Sequence, residues 1–223
     1  RAVYPVRIDP TFSDADWVSL NPGIPGANNS ITAMVADGAG NVYVGGNFTF
    51  IGTVEVNHIA KWDGSTWSSL GSGVAVSNSV RALAVSGSDL YVGGKFDHVG
   101  GIEANNVAKW DGVAWSAFGA GLGEVSALAV MGSDLYVGAD FATAGGGMAN
   151  QHIAKWNGSS WSALGSGMNN SVNALAVSGT DLYAGGAFTT AGGVADTKYL
   201  AKWDGADWSA LGSGMDNIVN ALV

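Results

Sequence analysis

Four near-copies of one phrase constrain this chain more than any other feature: "KWDGSTW" at 61–67, "KWDGVAW" at 109–115, "KWNGSSW" at 155–161 and "KWDGADW" at 202–208. Their leading tryptophans, Trp62, Trp110, Trp156 and Trp203, are spaced by 48, 46 and 47 residues. A second series keeps step with the first. "VYVGG" at 42–46 returns as "LYVGG" at 90–94, "LYVGA" at 135–139 and "LYAGG" at 182–186. A unit of about 47 residues that recurs in this way buries its apolar faces against copies of itself, so the chain must stack equivalent modules.

Each unit reads as four strands. In the second, "VRALAV" at 80–85 leads through "SGSD" into "LYVGGKF" at 90–96; a glycine-rich loop follows, then "NVAKW" at 106–110, Asp111-Gly112 and "AWSAF" at 114–118. Asp-Gly between β-formers is a hairpin signal. A two-residue turn at Asp63-Gly64 would pair Trp62 with Ser65, whereas a four-residue loop would pair Trp62 with Trp67; either puts both indoles on one face. Four strands in a unit of this length make a propeller blade, and the spacing leaves no room for crossover helices. The expected fold is an all-β propeller of four-stranded antiparallel blades. Complete blades are expected at 30–73, 80–121, 125–167 and 172–214, behind an N-terminal extension over 1–13. "DADWVSL" at 14–20 matches a last strand and "NIVNALV" at 217–223 a first strand, so partial blades are expected at both ends. The chain begins at Arg1 and stops inside its own pattern. It reads as part of a longer product, its ring completed by further sequence or by another chain.

Composition narrows the function classes. A net charge of −9, with nine Lys and Arg against 18 Asp and Glu, opposes the clustered cations that nucleic acid demands. No apolar run is long enough for a membrane-spanning helix, so membrane insertion is not expected. With no cysteine, disulfides, thiolate metal sites and thiol nucleophiles are excluded. The three histidines, His58, His98 and His152, fall in no metal motif, and neither a metal nor a cofactor is expected.

The paired tryptophans (Trp62 and Trp67, Trp110 and Trp115, Trp156 and Trp161, Trp203 and Trp208) are read as scaffold, since both faces of a blade are covered by its neighbours. All nine tryptophans, Trp17 included, fall in this motif. Lys61, Lys109, Lys155 and Lys202 alternate with them, and Asp89, Asp134 and Asp181 (Asn41 in the first unit) close the first hairpin. Lys–Asp pairs that fix each blade are expected, with a lysine ring that binds an anion as the sharper alternative. Ligand contacts are sought in the loops that differ between units. The most polar of them, "KFDHVGGIEAN" at 95–105, offers Asp97, His98 and Glu103. Glu55 and His58 are the candidates in the first unit, and Glu124 is a further loop acid.

At "YVGG" and "AKWDGSTW" the sequence resembles kelch and galactose-oxidase-type propeller repeats. "IAKWNGSSWSALGSGM" at 153–168 resembles still more closely the bacterial repeats of the Rax2-like or delta-60-like type, and "DGAGNVYVGG" at 37–46 looks like another bacterial propeller repeat, the SBBP class. The resemblance implies a β-propeller and an extracellular or cell-surface location, and it carries no catalytic residue with it. The copper site of galactose oxidase needs a cysteine that this chain lacks. The expected function is therefore a non-enzymatic interaction or structural module with a protein or glycan partner at the loop face. A lectin-like glycan module is one alternative, and an enzyme with acids on the channel rim is another.

Overall fold

The computed structural model describes residues 26–75, 79–119, 121–140, 143–144, 148–149 and 152–223. The strand expected at 14–20, with Trp17, lies outside them. Four antiparallel four-stranded sheets follow one another along the chain, each in the order first, second, third, fourth strand. Blade 1 comprises Ile31–Ala36, Val42–Gly46, Ile59–Trp62 and Trp67–Ser69, and blade 2 comprises Ser79–Ser86, Asp89–Lys95, Val107–Trp110 and Trp115–Ala117. Blade 3 comprises Val125–Met131, Asp134–Ala139, Ile153–Trp156 and Trp161–Ala163, and blade 4 comprises Val172–Ser178, Asp181–Gly186, Leu200–Trp203 and Trp208–Ala210. First strands of successive blades touch one another, which makes them the inner edge of a propeller.

Alternation along the strands gives each blade two different faces. At each of the three seams between blades 1 to 4, the later blade presents the face that carries its tryptophan pair and the earlier blade presents its other face. Between blades 1 and 2, Tyr43, Ile59 and Leu70 pack on Leu90, Val92 and Ala108, with Trp110 and Trp115 at the margin. Tyr91, Val107 and Phe118 meet Leu135, Val137, Ala154 and Trp161 in the next seam. Tyr136, Ile153 and Leu164 meet Leu182, Ala184, Ala201, Trp203 and Trp208 in the third. Glycine in the second strand permits this closeness: a Cβ on Gly45, Gly93 or Gly138 would run into Val80, Val125 or Val172 of the next blade. Gly185 meets Val219 in the same way, so Val219 occupies the place of a first-strand valine, although 217–223 is not in a sheet.

Of the two turns considered for the third hairpin, the four-residue loop forms. Trp62 pairs with Trp67, Trp110 with Trp115, Trp156 with Trp161 and Trp203 with Trp208. Asp63 shows why the loop is four residues long. Its Oδ1 accepts the N–H groups of both Ser65 and Thr66 at 2.8 Å, while its own N–H reaches Thr66 O at 3.2 Å. Asp111, Asn157 and Asp204 accept the equivalent pair of N–H groups, an acceptor role that Asp and Asn share. Gly64 supplies the positive φ, +98°.

The unit is also richer than four strands. The connection from second to third strand is a hairpin of its own in three blades: Phe50–Ile51 with Val54–Glu55, His98–Val99 with Ile102–Glu103, and Thr143–Ala144 with Met148–Ala149. Blade 4 reduces it to a bridge between Ala191 and Val194. The chain entering a blade pairs with that hairpin, as at Ala27 with Ile51, Val74 with Val99 and Met168 with Ala191. Each first strand carries a bulge, at Thr32, Arg81, Ser126 and Asn173.

Candidate functional site

Strand direction sorts the connections onto two faces. The first-to-second and third-to-fourth turns lie at one end of each blade. The small hairpins and the links between blades lie at the other, and that end gathers the candidate residues. His98 and Glu103 are cross-strand partners on the blade 2 hairpin, as are Phe50 and Glu55 on the blade 1 hairpin. The two hairpins thus present the same device at the same position, an aromatic ring opposite a glutamate. In blade 3 these places fall to Thr143 and Ala149.

Asp97 precedes His98, and its carboxylate lies 3.3 Å from His98 Nδ1. Glu103 Oε1 accepts a hydrogen bond from Asn105 Nδ2 at 3.1 Å. His98, Val99, Gly100 and Gly101 form one wall of a cleft of about 220 Å³, and Asn57, Ser72, Gly73, Val74 and Ala75 complete it. The linking strand is tied to the hairpin by Ala75 N–H to His98 O at 3.1 Å and Gly100 N–H to Gly73 O at 2.8 Å. Phe50, opposite Glu55, and Ile102, which precedes Glu103 and pairs with Val99, are apolar yet 42% and 37% exposed.

His58 belongs elsewhere. Its side chain was expected among the loop contacts, but it is 4% exposed and does not line the cleft. The position it holds is left-handed in every blade: φ is 72° at His58, 70° at Asn106, 70° at His152 and 64° at Tyr199. There the backbone ties the hairpin to the third strand, with His58 N–H donating to Phe48 O at 2.7 Å and His58 O accepting from Gly46 N–H at 3.0 Å. In blade 2 the Asn106 side chain accepts the Phe96 N–H at 2.9 Å and donates to Leu122 O at 2.7 Å. His58 makes neither bond, and both its ring nitrogens are buried without a partner. Burial holds its pKa below the ordinary value, since a charged imidazole would lose its water.

Sequence reasoning missed an ion cluster at the inner edge of the same face. Arg81, at the bulge of its strand, pairs with Glu124, whose other oxygen lies 3.7 Å from Lys95. The signal was available, because Arg81 replaces a small polar residue of the other units. Among the described residues no three His, Asp or Glu side chains converge as a metal site.

At the seams the tryptophans are buried or half-buried. Each pair packs with ring centroids 5.2–5.3 Å apart and ring planes tilted by 51–58°. Trp115, Trp161 and Trp208 donate Nε1–H to Leu70 O (2.9 Å), Phe118 O (3.3 Å) and Leu164 O (3.0 Å) of the preceding blade. Lys109, Lys155 and Lys202 bond Asp89, Asp134 and Asp181 at 2.9, 3.0 and 3.1 Å. These bonds raise the pKa of each ammonium.

Radially stacked four-stranded blades, joined by aromatic seams and differing at their hairpins, define a β-propeller module. The family described as the Rax2 C-terminal beta propeller domain matches residues 76–221, and the chain belongs to that family. Among curated proteins none matches the sequence. Among solved structures, the computationally designed Ika4 protein superposes with a TM-score of 0.53 at 17% identity, over 81% of this chain and 94% of that one. The computationally designed Ika8 protein gives 0.54 at 18% identity, over 87% of this chain and 65% of that one. At such identities the likeness is one of fold.

Proposed function

We propose that this propeller is a non-enzymatic module of the delta-60-like bacterial type, working outside the cell or on its surface, and that the hairpin face of blades 1 and 2 docks a protein. One observation carries the reading. The sheets repeat register for register, while the hairpins of blades 1 and 2 carry the apolar and acidic set Phe50, Glu55, His98, Ile102 and Glu103, where blade 3 has Thr143 and Ala149 at the cross-strand position. Exposed apolar side chains beside carboxylates suit a partner that offers an apolar anchor framed by Lys or Arg. The extracellular assignment is supported by the family resemblance.

The test compares the wild type with a Phe50→Ser, Glu55→Lys, Glu103→Lys variant in cross-linking capture from cell-surface extracts, alongside a glycan array. We expect one protein species to be captured by the wild type and lost in the variant, with the melting temperature retained. Capture that survives the triple change, or saturable sugar binding to the hairpin face, overturns the reading in favour of a lectin-like module.

A further inference from the structure

Blade 1 departs from its copies at one charged position on the opposite face, the face of the short turns. In blades 2, 3 and 4 the seam lysine is neutralised by an aspartate that starts the second strand. Blade 1 has Asn41 in that place. The Asn41 amide turns away and donates to Asp37 Oδ2 at 2.6 Å. Asp37 Oδ1 accepts the N–H groups of Ala39 and Asn41, both at 2.9 Å. Among the described residues Lys61 makes no ion pair at contact distance: Asp37, the nearby acid, feels its charge without bonding it, and the ammonium lies 5.7 Å from the centre of the Tyr43 ring.

The space in front of that ammonium is open. A cleft of about 460 Å³ between blades 1 and 2 is lined by Asp37, Asn41, Tyr43, Lys61 and Ser88, with turn backbone at Gly87 and Gly112. The equivalent cleft between blades 2 and 3, where Lys109 is paired with Asp89, measures about 230 Å³. A volume of the larger size takes a ligand of one or two sugar rings. Its lining offers one cation, an amide, two hydroxyls and backbone groups, beside the Asp37 carboxylate that is already held by the Ala39 and Asn41 N–H groups and the Asn41 amide; the donors match a molecule with one carboxylate and several hydroxyls.

We propose that the cleft between blades 1 and 2 is a binding site for a small acidic sugar of the hexuronate type, whose carboxylate takes at Lys61 the place that aspartate takes in the other blades. The site lies on the face opposite the hairpins, so it stands or falls apart from the docking reading above. The acidic surroundings hold affinity down through long-range repulsion, while the local contact is a charge-assisted hydrogen bond.

The test titrates the chain with glucuronate, with glucose and with a short oligogalacturonate, followed by amide NMR shifts. We expect glucuronate to move the amides of Asn41, Ser88 and Gly112, and glucose to leave them in place. Tighter binding of the oligomer identifies the ligand as a polysaccharide end, and equal binding identifies a free sugar acid. Lys61→Met should weaken binding roughly tenfold or more, the loss expected for one charge-assisted bond, and Lys61→Arg should restore most of it. Asn41→Asp installs the partner found in the other blades and should abolish binding while the fold is kept. Asp89→Asn should free Lys109 and create a second site. Glucuronate shifts that persist in both Lys61→Met and Asn41→Asp, equal shifts from glucose, or no shifts with either acid overturn the proposal.

Discussion

His58 shows how one residue can sit at odds with its own repeat. Its backbone is left-handed and its ring nitrogens are buried without partners, whereas Asn106 at the same place uses its amide twice. Asn suits the left-handed conformation, because its short polar side chain can hydrogen-bond locally. His58→Asn should therefore raise thermal stability. The pH dependence follows from the depressed pKa. The folded protein keeps His58 neutral while the unfolded chain takes up a proton near pH 6.5, so stability is full above that value and falls as pH drops below it. Melting curves at about pH 7.5 and about pH 5.5, either side of that value, should show a larger loss for wild type than for His58→Asn; equal losses would remove His58 from the account.

Between elements, the aromatic seam joins blades through ring contact and a hydrogen bond at once. Trp161 is 5% exposed, lies tilted against Trp156 of its own blade, and across the seam touches the Phe118 ring and donates to the Phe118 carbonyl. Its removal takes packing and a hydrogen bond from one seam while the strand pairing of either blade stays in place. Trp161→Ala should cost about 3–5 kcal/mol of unfolding free energy in denaturant titrations. A cost under about 1 kcal/mol, the size typical of surface changes, would mean that the indoles are not structural. Part of this seam is legible in the repeated tryptophan phrase: same-face placement of each pair follows from strand alternation alone. The blade that each pair faces, and the carbonyl that receives its N–H, do not follow.

For the molecule as a whole, the seams run in one direction, and the chain carries on past blade 4. Val219 fills the space beside Gly185 as Val80, Val125 and Val172 do beside their glycines, and Val219 N–H donates to Gly186 O at 3.3 Å. This segment covers an apolar surface without any strand pairing of its own. Val219→Asp would put a charge against Gly185 and should lower the melting temperature and open blade 4 to dye binding, whereas Val223→Asp, at a fully exposed residue, should change neither. Equal behaviour of the two variants would mean that 217–223 does not cap the last blade.

The 47-residue period, the four-strand unit, the shared face of each tryptophan pair and the Lys–Asp partnership were fixed by sequence, because strand alternation and turn chemistry are local and repeat with the chain. The small hairpins, the bulge that brings Arg81 to Glu124, the burial of His58 and the open cleft beside Lys61 were decided by tertiary structure. Each depends on how one blade sits against the next, and that spacing is set by glycines whose meaning lies in the neighbour they admit.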